Sequence, residues 1–340
     1  MYINDLTHKE LVKSIEQIGL PKYRADQIFR WIHKSLERDY SKMTNLSAKD
    51  ISYLKDSFQI DLISIYKKLE SKVDDTKKYL FELGDRNIIE SVFLRYDFGD
   101  SVCISSQVGC NMGCVFCAST IGGKARNLRA SEMLEQIYMI QKDLKTRIDS
   151  VVVMGSGEPL DNYNNLKKFM SVITDENGLN ISKRKITVST CGIIDKIYES
   201  AEDNLGFNLA ISLHSAIQEN RNKLIPASKK YPLKDLIEAC DHYTQKSGRR
   251  VTYEYIMIEG FNDTDDDIKS LKDLLKNSNC HVNLIPLNPI SEYEGKAPSD
   301  IRIRTFYKNL VKHKINTTIR RELGRDINAA CGQLRNNYIK

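Results

Sequence analysis

The chain has 340 residues, 41% hydrophobic and 28% charged, with only 17 Gly and 7 Pro, which excludes a fibrous, low-complexity or mainly disordered protein. No apolar run approaches the roughly 18 residues of a membrane helix, and MYINDLTHKE lacks the apolar core and cleavage site of a signal peptide, so a cytoplasmic address and no membrane partner are expected. The net charge of +6 is too small to imply a polyanion partner by itself, but residues 301–340 carry ten Lys/Arg against Glu322 and Asp326, a local +8 on a body near neutrality. Such an end fits phosphate contacts and a solvated basic helix equally well.

At the N-terminus Leu11, Ile15 and Ile18 recur at helical spacing, and after Gly19 and Pro21 the residues Ile28, Phe29, Trp31 and Ile32 make a second amphipathic stripe. With the segment from Ser47 to about Leu69 they predict a small helical module over residues 1–75. At Lys77 the period changes to two, in KKYLFEL and NIIESVFLRY, which predicts a hairpin turning near Gly84 and Asp85 inside a β-rich connector, 76–100. The alternation alone puts Glu90 on a solvent face.

Beyond residue 100 short apolar segments alternate with helical patterns. The segments are SVCISS (101–106), SVVVMG (150–155), KITVST (185–190), FNLAISL (207–213), RVTYEYIMI (250–258) and HVNLIPL (281–287). Helices are predicted near 130–145, 161–175, 193–203, 232–246 and 264–277. Six buried strands with helices between them imply parallel βα units, in a doubly wound sheet or a full or partial barrel. In either case functional loops follow the carboxyl ends of the strands.

Three of the eight cysteines, Cys110, Cys114 and Cys117, fall within eight residues after the first of these strands. A CxxxCxxC run in a Gly-containing loop is compact enough for three thiolates to converge on one iron-sulfur cube, leaving one iron open to chelate the amino and carboxylate groups of a small molecule. A structural zinc site needs a fourth ligand, which Cys103 could supply.

CxxxCx(aromatic)C after the first strand of a repeated βα domain resembles the radical S-adenosylmethionine (SAM) superfamily. More narrowly, the chain resembles the rRNA adenine methyltransferases of the RlmN and Cfr type. The matching segments are KYRADQIFRWIHK (22–34), CISSQVGCNMGCVFCAST (103–120), GSGEPLDNY (155–163), ISLHS (211–215), LIPLNP (284–289) and DINAACGQL (326–334), in the family's order over nearly the whole chain. The family commonly has Met where Ser156 stands. The resemblance implies a partial (β/α)6 TIM-like barrel, residues 101–340 with the basic extension, and one [4Fe-4S] cluster on Cys110, Cys114 and Cys117. Gly157 and Glu158 would meet the ammonium group of bound SAM, and Ser189, Ser212, Leu213, His214 and Asn288 its ribose, adenine or carboxylate.

Three more roles come from the resemblance. Cys331 accepts a methyl from one SAM and carries it to RNA, Cys103 resolves the protein-RNA adduct by forming a disulfide with Cys331, and Glu90 removes the ring proton. Two SAM are used per turnover. The local wording GEPLDN (157–162) and CASTIGG (117–123) resembles the C2 enzymes more than the C8 type. The implied partners are 23S rRNA, tRNA with an adenosine 3′ to the anticodon, and an electron donor such as flavodoxin or ferredoxin, acting on a monomer. The rival readings are a C8 methyltransferase, a radical SAM enzyme with another substrate, and an RNA-binding protein whose metal site is structural.

Overall fold

The computed structural model describes residues 1–334. Helices α1 (His8–Gln17), α2 (Tyr23–His33) and α3 (Ala48–Ser57) form the N-terminal module. Thr7 starts α1 with a capping box, its hydroxyl accepting from the Glu10 N–H while the Glu10 carboxylate accepts from the Thr7 N–H, so two orphan donors of the first turn are satisfied. Of the stripes legible in the sequence, Leu11, Ile15, Ile28, Phe29 and Ile32 are fully buried, while Ile18 and Trp31 are half-buried against the same core.

The helical expectation for 47–69 holds only to Ser57. Residues Ser64–Glu70 are instead strand β1, which pairs antiparallel with β2 (Lys77–Glu82). β2 pairs with β3 (Ile88–Tyr96), turning near Gly84 and Asp85 as the alternation implies, and β3 pairs with β4 (Gly99–Cys103). The short run SIYKKLE does not alternate strictly, its register shifts between Ile65 and Lys67, and its burial is partial because it is the sheet's edge.

A two-stranded ribbon, β5 (Gln107–Gly109) and β6 (Lys124–Asn127), closes the base of the loop that carries the three clustered cysteines. Then follow α4 (Ala130–Leu144), β7 (Ser150–Val153), α5 (Tyr163–Ile173), β8 (Ile186–Thr190), α6 (Ile194–Glu202), β9 (Asn208–Ser212), α7 (Gln218–Leu224), α8 (Leu233–Ser247), β10 (Val251–Met257), α9 (Asp265–Leu275), β11 (Cys280–Pro286), α10 (Asp300–Lys312) and β12 (Thr317–Ile319). The sheet has the order β1-β2-β3-β4-β7-β8-β9-β10-β11-β12, antiparallel through β4 and parallel from β4 onward. All six expected barrel strands are present. β12 adds a seventh that three half-polar residues, TTI, do not announce in the sequence.

Asn4, Arg38 and Arg129 pin the helical module to this barrel. Asn4 Nδ2 donates to the Asp61 carbonyl (2.8 Å) and to Glu135 Oε1 (3.1 Å), Arg38 pairs with Glu135 at 2.6 Å, and Arg129 makes a two-pronged pair with Asp61. Glu135 is almost fully buried, so the guanidinium is its compensation. Deleting one partner of such a pair leaves a buried charge and costs about 3–5 kcal/mol.

Candidate active site

The cysteine loop, 110–117, lies over the carboxyl ends of the parallel strands. Cys110, Cys114 and Cys117 line one cleft together with Gly157, Glu158, Ser189, Ser212 and His214. Burial pushes the thiols of Cys110 and Cys103 up to about 12, and that of Cys114 well above its ordinary value. Loading iron on such a loop therefore releases protons. Among the described residues no three His, Cys, Asp or Glu side chains converge on a single-ion site. A four-iron cube holds its ligands farther apart than one ion does, and three thiols on one wall of a cleft fit it. Cys103 lies outside this cleft and lines a neighbouring cavity.

The 155–158 turn meets the cleft from β7. Gly157 has φ +111°, and a Cβ there would lie 2.6 Å from Gln107 Cβ, so the turn requires glycine at this position. Gln107 organises the turn: its Oε1 accepts the Glu158 N–H (2.9 Å) and its Nε2 donates to Asn127 and Asp161. Glu158 is buried, with Oε1 accepting from Leu160 N–H (3.0 Å) and Oε2 from Cys191 N–H (2.8 Å). Burial raises its pKa and these N–H groups oppose the rise. The side chains of Thr190 and Cys191 also hydrogen-bond to this carboxylate. Ser156 Oγ lies 3.1 Å from Ser119 Oγ, which donates to the Leu334 carbonyl at 2.8 Å; this ties the glycine turn, the cysteine loop and the C-terminal loop together.

His214, at φ +57°, accepts the Ile256 N–H on Nδ1 at 3.0 Å, which leaves Nε2 to carry the proton. Burial, then Arg221, depresses its pKa to about 3, so it is a neutral donor edge-on to Phe116. The Leu213 side chain is fully buried and does not line the cleft. Asn288 sits apart from the other expected cofactor residues: its Nδ2 donates to the Cys331 carbonyl at 3.0 Å, and its buried Oδ1 has no partner among the described residues.

The second cavity is lined by Cys103, Val92, Leu94, Met154, Asn288, Arg320 and Cys331. Cys331, Cys117, Met154, Gly155, Arg320 and Gly332 border both cavities, so Cys331 stands at their junction. All eight cysteines are free thiols, and the disulfide between Cys103 and Cys331 that the resemblance implies is absent from this structure. Gly332 has φ +84°, and its would-be Cβ lies 3.0 Å from the Phe116 carbonyl, so only glycine lets this loop lie on the cysteine loop.

Two buried charges and one half-buried charge correct or extend the sequence reading. Glu90 is not on a solvent face: it is fully buried and ion-paired to Lys78 at 3.1 Å. Glu90 lines neither cavity, while the next in-phase residue, Val92, pairs with Cys103 and lines the second cavity. Arg320, counted above with the basic end, turns inward to Glu254 (3.6 Å) and Met154. The nearby Cys331 and Glu254 hold its guanidinium charged. Glu254 itself is buried, raised by desolvation, and accepts from Asn283 Nδ2 at 2.9 Å. Charged residues in phase with apolar ones, Lys78 with Leu80 and Glu254 with Ile256, were the available signal. Arg335 and Lys340 of the basic end lie outside the described residues.

This is the architecture of a radical SAM enzyme, and residues 104–275 match the radical SAM superfamily. Residues 1–60 match the ribosomal RNA large subunit methyltransferase N-terminal domain. The chain is 50% identical, over 99% of its length and 94% of the relative's, to the "Probable dual-specificity RNA methyltransferase RlmN" of Lachnoclostridium phytofermentans. It is 46% identical to the protein so named from Clostridium acetobutylicum, covering 99% and 98% of the two chains. A radical SAM methyltransferase structure from Sphaerobacter thermophilus superposes with a TM-score of 0.94 at 38% identity, covering 99% and 100%. The chain belongs to the RlmN family of radical SAM RNA methyltransferases.

Proposed function

We propose that this enzyme methylates C2 of an adenosine in the peptidyl-transferase region of 23S rRNA, and C2 of the adenosine 3′ to the anticodon in some tRNAs, through a methylated Cys331. The observation that carries the reading is the position of Cys331, shared between the cleft of the three cluster cysteines and the cavity holding Cys103. Adenine C2 bears no acidic proton and is electron-poor, so a sulfonium methyl cannot reach it by simple displacement.

Cys110, Cys114 and Cys117 would hold the cluster, with Glu158, Ser189, Ser212 and His214 around SAM. Bound there, the cluster supplies an electron from a flavodoxin or ferredoxin and so a carbon radical from SAM. The residues of the chain do the rest. Cys331, giving up its thiol proton, first attacks the methyl of one SAM, forming an S–CH3 bond as S-adenosylhomocysteine leaves as a thioether. After hydrogen abstraction from that methyl, with a second SAM consumed, the methylene joins C2. Glu90 takes the C2 proton and the adduct gives up one electron, for which a cluster held by Cys110, Cys114 and Cys117 would be the acceptor. Cys103 then attacks Cys331 sulfur, breaking its bond to carbon; the carbon takes a proton and becomes the product methyl while the two cysteines share a disulfide. The cavity orients these groups.

Digestion of 23S rRNA fragments after incubation with reconstituted enzyme should give 2-methyladenosine by mass spectrometry; chiefly 8-methyladenosine would refute the C2 assignment and leave the cysteine chemistry standing. A second expectation concerns the basic end. Arg304, Lys308, Lys312, Arg321 and Arg325 are exposed, Arg321 also bordering the second cavity, whereas Arg320 turns inward to Glu254. Neutralising Lys308, Lys312, Arg321 and Arg325 together is expected to weaken RNA binding about tenfold or more at low salt and flatten its salt dependence, with iron content unchanged. Unaltered binding would make this a solvated face.

A further inference from the structure

Lys78 occupies a position that the reaction scheme does not use. It lies on β2 with its side chain only 5% exposed, and its Nζ is 3.1 Å from Glu90 Oε1 and 3.1 Å from the carbonyl oxygen of Asn328, three residues before Cys331. Lys78 stands opposite Val92 and Glu90 opposite Leu80, so the two charges are diagonal neighbours on one face of the hairpin. The chain around Lys78 grips the same loop at further points. Ser71 Oγ and the Lys72 N–H donate to the Asp326 carboxylate at 2.7 and 2.8 Å, and Asp74 Oδ2 accepts the Gly324 N–H at 2.9 Å. Gly324, at φ +65°, is closed in by Thr76, whose Cγ2 would lie 2.6 Å from a Cβ. Beyond Cys331 the holds come from other elements: Ala118 N–H donates to the Gly332 carbonyl at 2.7 Å and Ser119 to that of Leu334. Cys331 is thus slung between the β1–β2 turn and the cysteine loop.

A buried ammonium is tolerated only with compensation, here one carboxylate and one carbonyl. The same cation therefore meets the residue read above as the proton acceptor and the backbone that aims the methyl carrier. We propose that Lys78 is a positioning residue that fixes Glu90 and the Cys331 loop relative to each other, and that its hold on the loop depends on the charge of Glu90. This rests on the reading of Glu90 given under the proposed function. While Glu90 is a carboxylate, Lys78 is held at the Asn328 carbonyl. When Glu90 takes the ring proton, that proton stays on its oxygen and the ion pair is lost. The loop is then loosened at the stage when Cys331 must be met by Cys103.

The test uses full-length, cluster-loaded protein carrying Lys78→Met, Lys78→Arg, Glu90→Gln, or Lys78→Met with Glu90→Gln. Hydrogen exchange by mass spectrometry on peptides spanning 324–331 should speed up about tenfold in Lys78→Met and in Glu90→Gln, and no further in the double variant, because the two act through one link. Lys78→Arg should stay near native. Single-turnover RNA methylation should fall about a hundredfold in Lys78→Met, with formation of methyl-Cys331 from SAM retained, and should not fall again when Lys78→Met is added to Glu90→Gln. The double variant carries no unpaired buried charge, so it guards against a result caused by misfolding of Lys78→Met. Native exchange in Lys78→Met, or turnover losses that multiply, would overturn the proposal. Native turnover in Glu90→Gln would overturn the proton-acceptor reading instead, and the positioning role would then be judged on exchange alone.

Discussion

Replacing any one of Cys110, Cys114 or Cys117 with alanine is expected to abolish the cluster and, with it, SAM cleavage and RNA methylation. Three thiolates are the fewest that hold a cube while leaving an iron open, so the loss of one is not graded. The loop offers no substitute. Cys240 and Cys280 are buried elsewhere in the barrel, Cys191 borders the cleft from the end of β8 beside Glu158 and not from the loop, and Cys103 faces the second cavity. Iron analysis and the visible spectrum after anaerobic reconstitution should show about four irons per native chain and a colourless, inactive variant. A variant that kept its iron and cleaved SAM would show that the cluster is bound elsewhere.

Cys103→Ala and Cys331→Ala are expected to fail in opposite ways. Cys331→Ala has no thiol to take the methyl, so it acquires no mass from SAM and forms no link to RNA. Cys103→Ala retains the carrier and the chemistry up to the adduct but lacks the thiol that resolves it, so it should accumulate covalently bound to RNA. Turnover in both should fall to background. The separation follows from the geometry: Cys331 borders both cavities and Cys103 only the second. Burial also keeps the Cys103 thiol protonated, with a pKa pushed up to about 12. The nearby Arg320 opposes that shift and thereby favours the thiolate needed for attack on sulfur. Denaturing gels and nuclease digestion of purified protein separate the two outcomes; identical, RNA-free behaviour of both variants would refute the division of labour.

Much of the barrel was legible because its strands are buried on both faces and read as short apolar runs, as in SVVVMG and KITVST, each followed by a helical stripe. β12 and the ribbon of β5 and β6 were not legible, since three or four residues with polar side chains carry no period. In β1 a run of KK between apolar residues suits either period; pairing with β2, a tertiary event, decides it. The three cysteines announced themselves by spacing. Glu90 did not, because alternation reports which residues share a face and not which face is buried. Its in-phase neighbours Val92 and Leu94 carried the better signal. Arg320 was misassigned for the opposite reason: a charge count cannot distinguish a guanidinium in solvent from one turned toward Glu254 and Cys331. Asn288 was read as a ligand of SAM by resemblance, while the fold gives its amide to the Cys331 carbonyl.

The route of the methyl carbon through Cys331 is tested most directly by isotope. With SAM bearing a CD3 methyl and unlabelled RNA, hydrogen abstraction from the Cys331 S-methyl removes one deuterium and the final protonation supplies hydrogen from water, so the 2-methyladenosine released should carry a CHD2 group. A product methyl that retained all three deuteriums would mean direct transfer from sulfonium to adenine and would contradict the role given to Cys331.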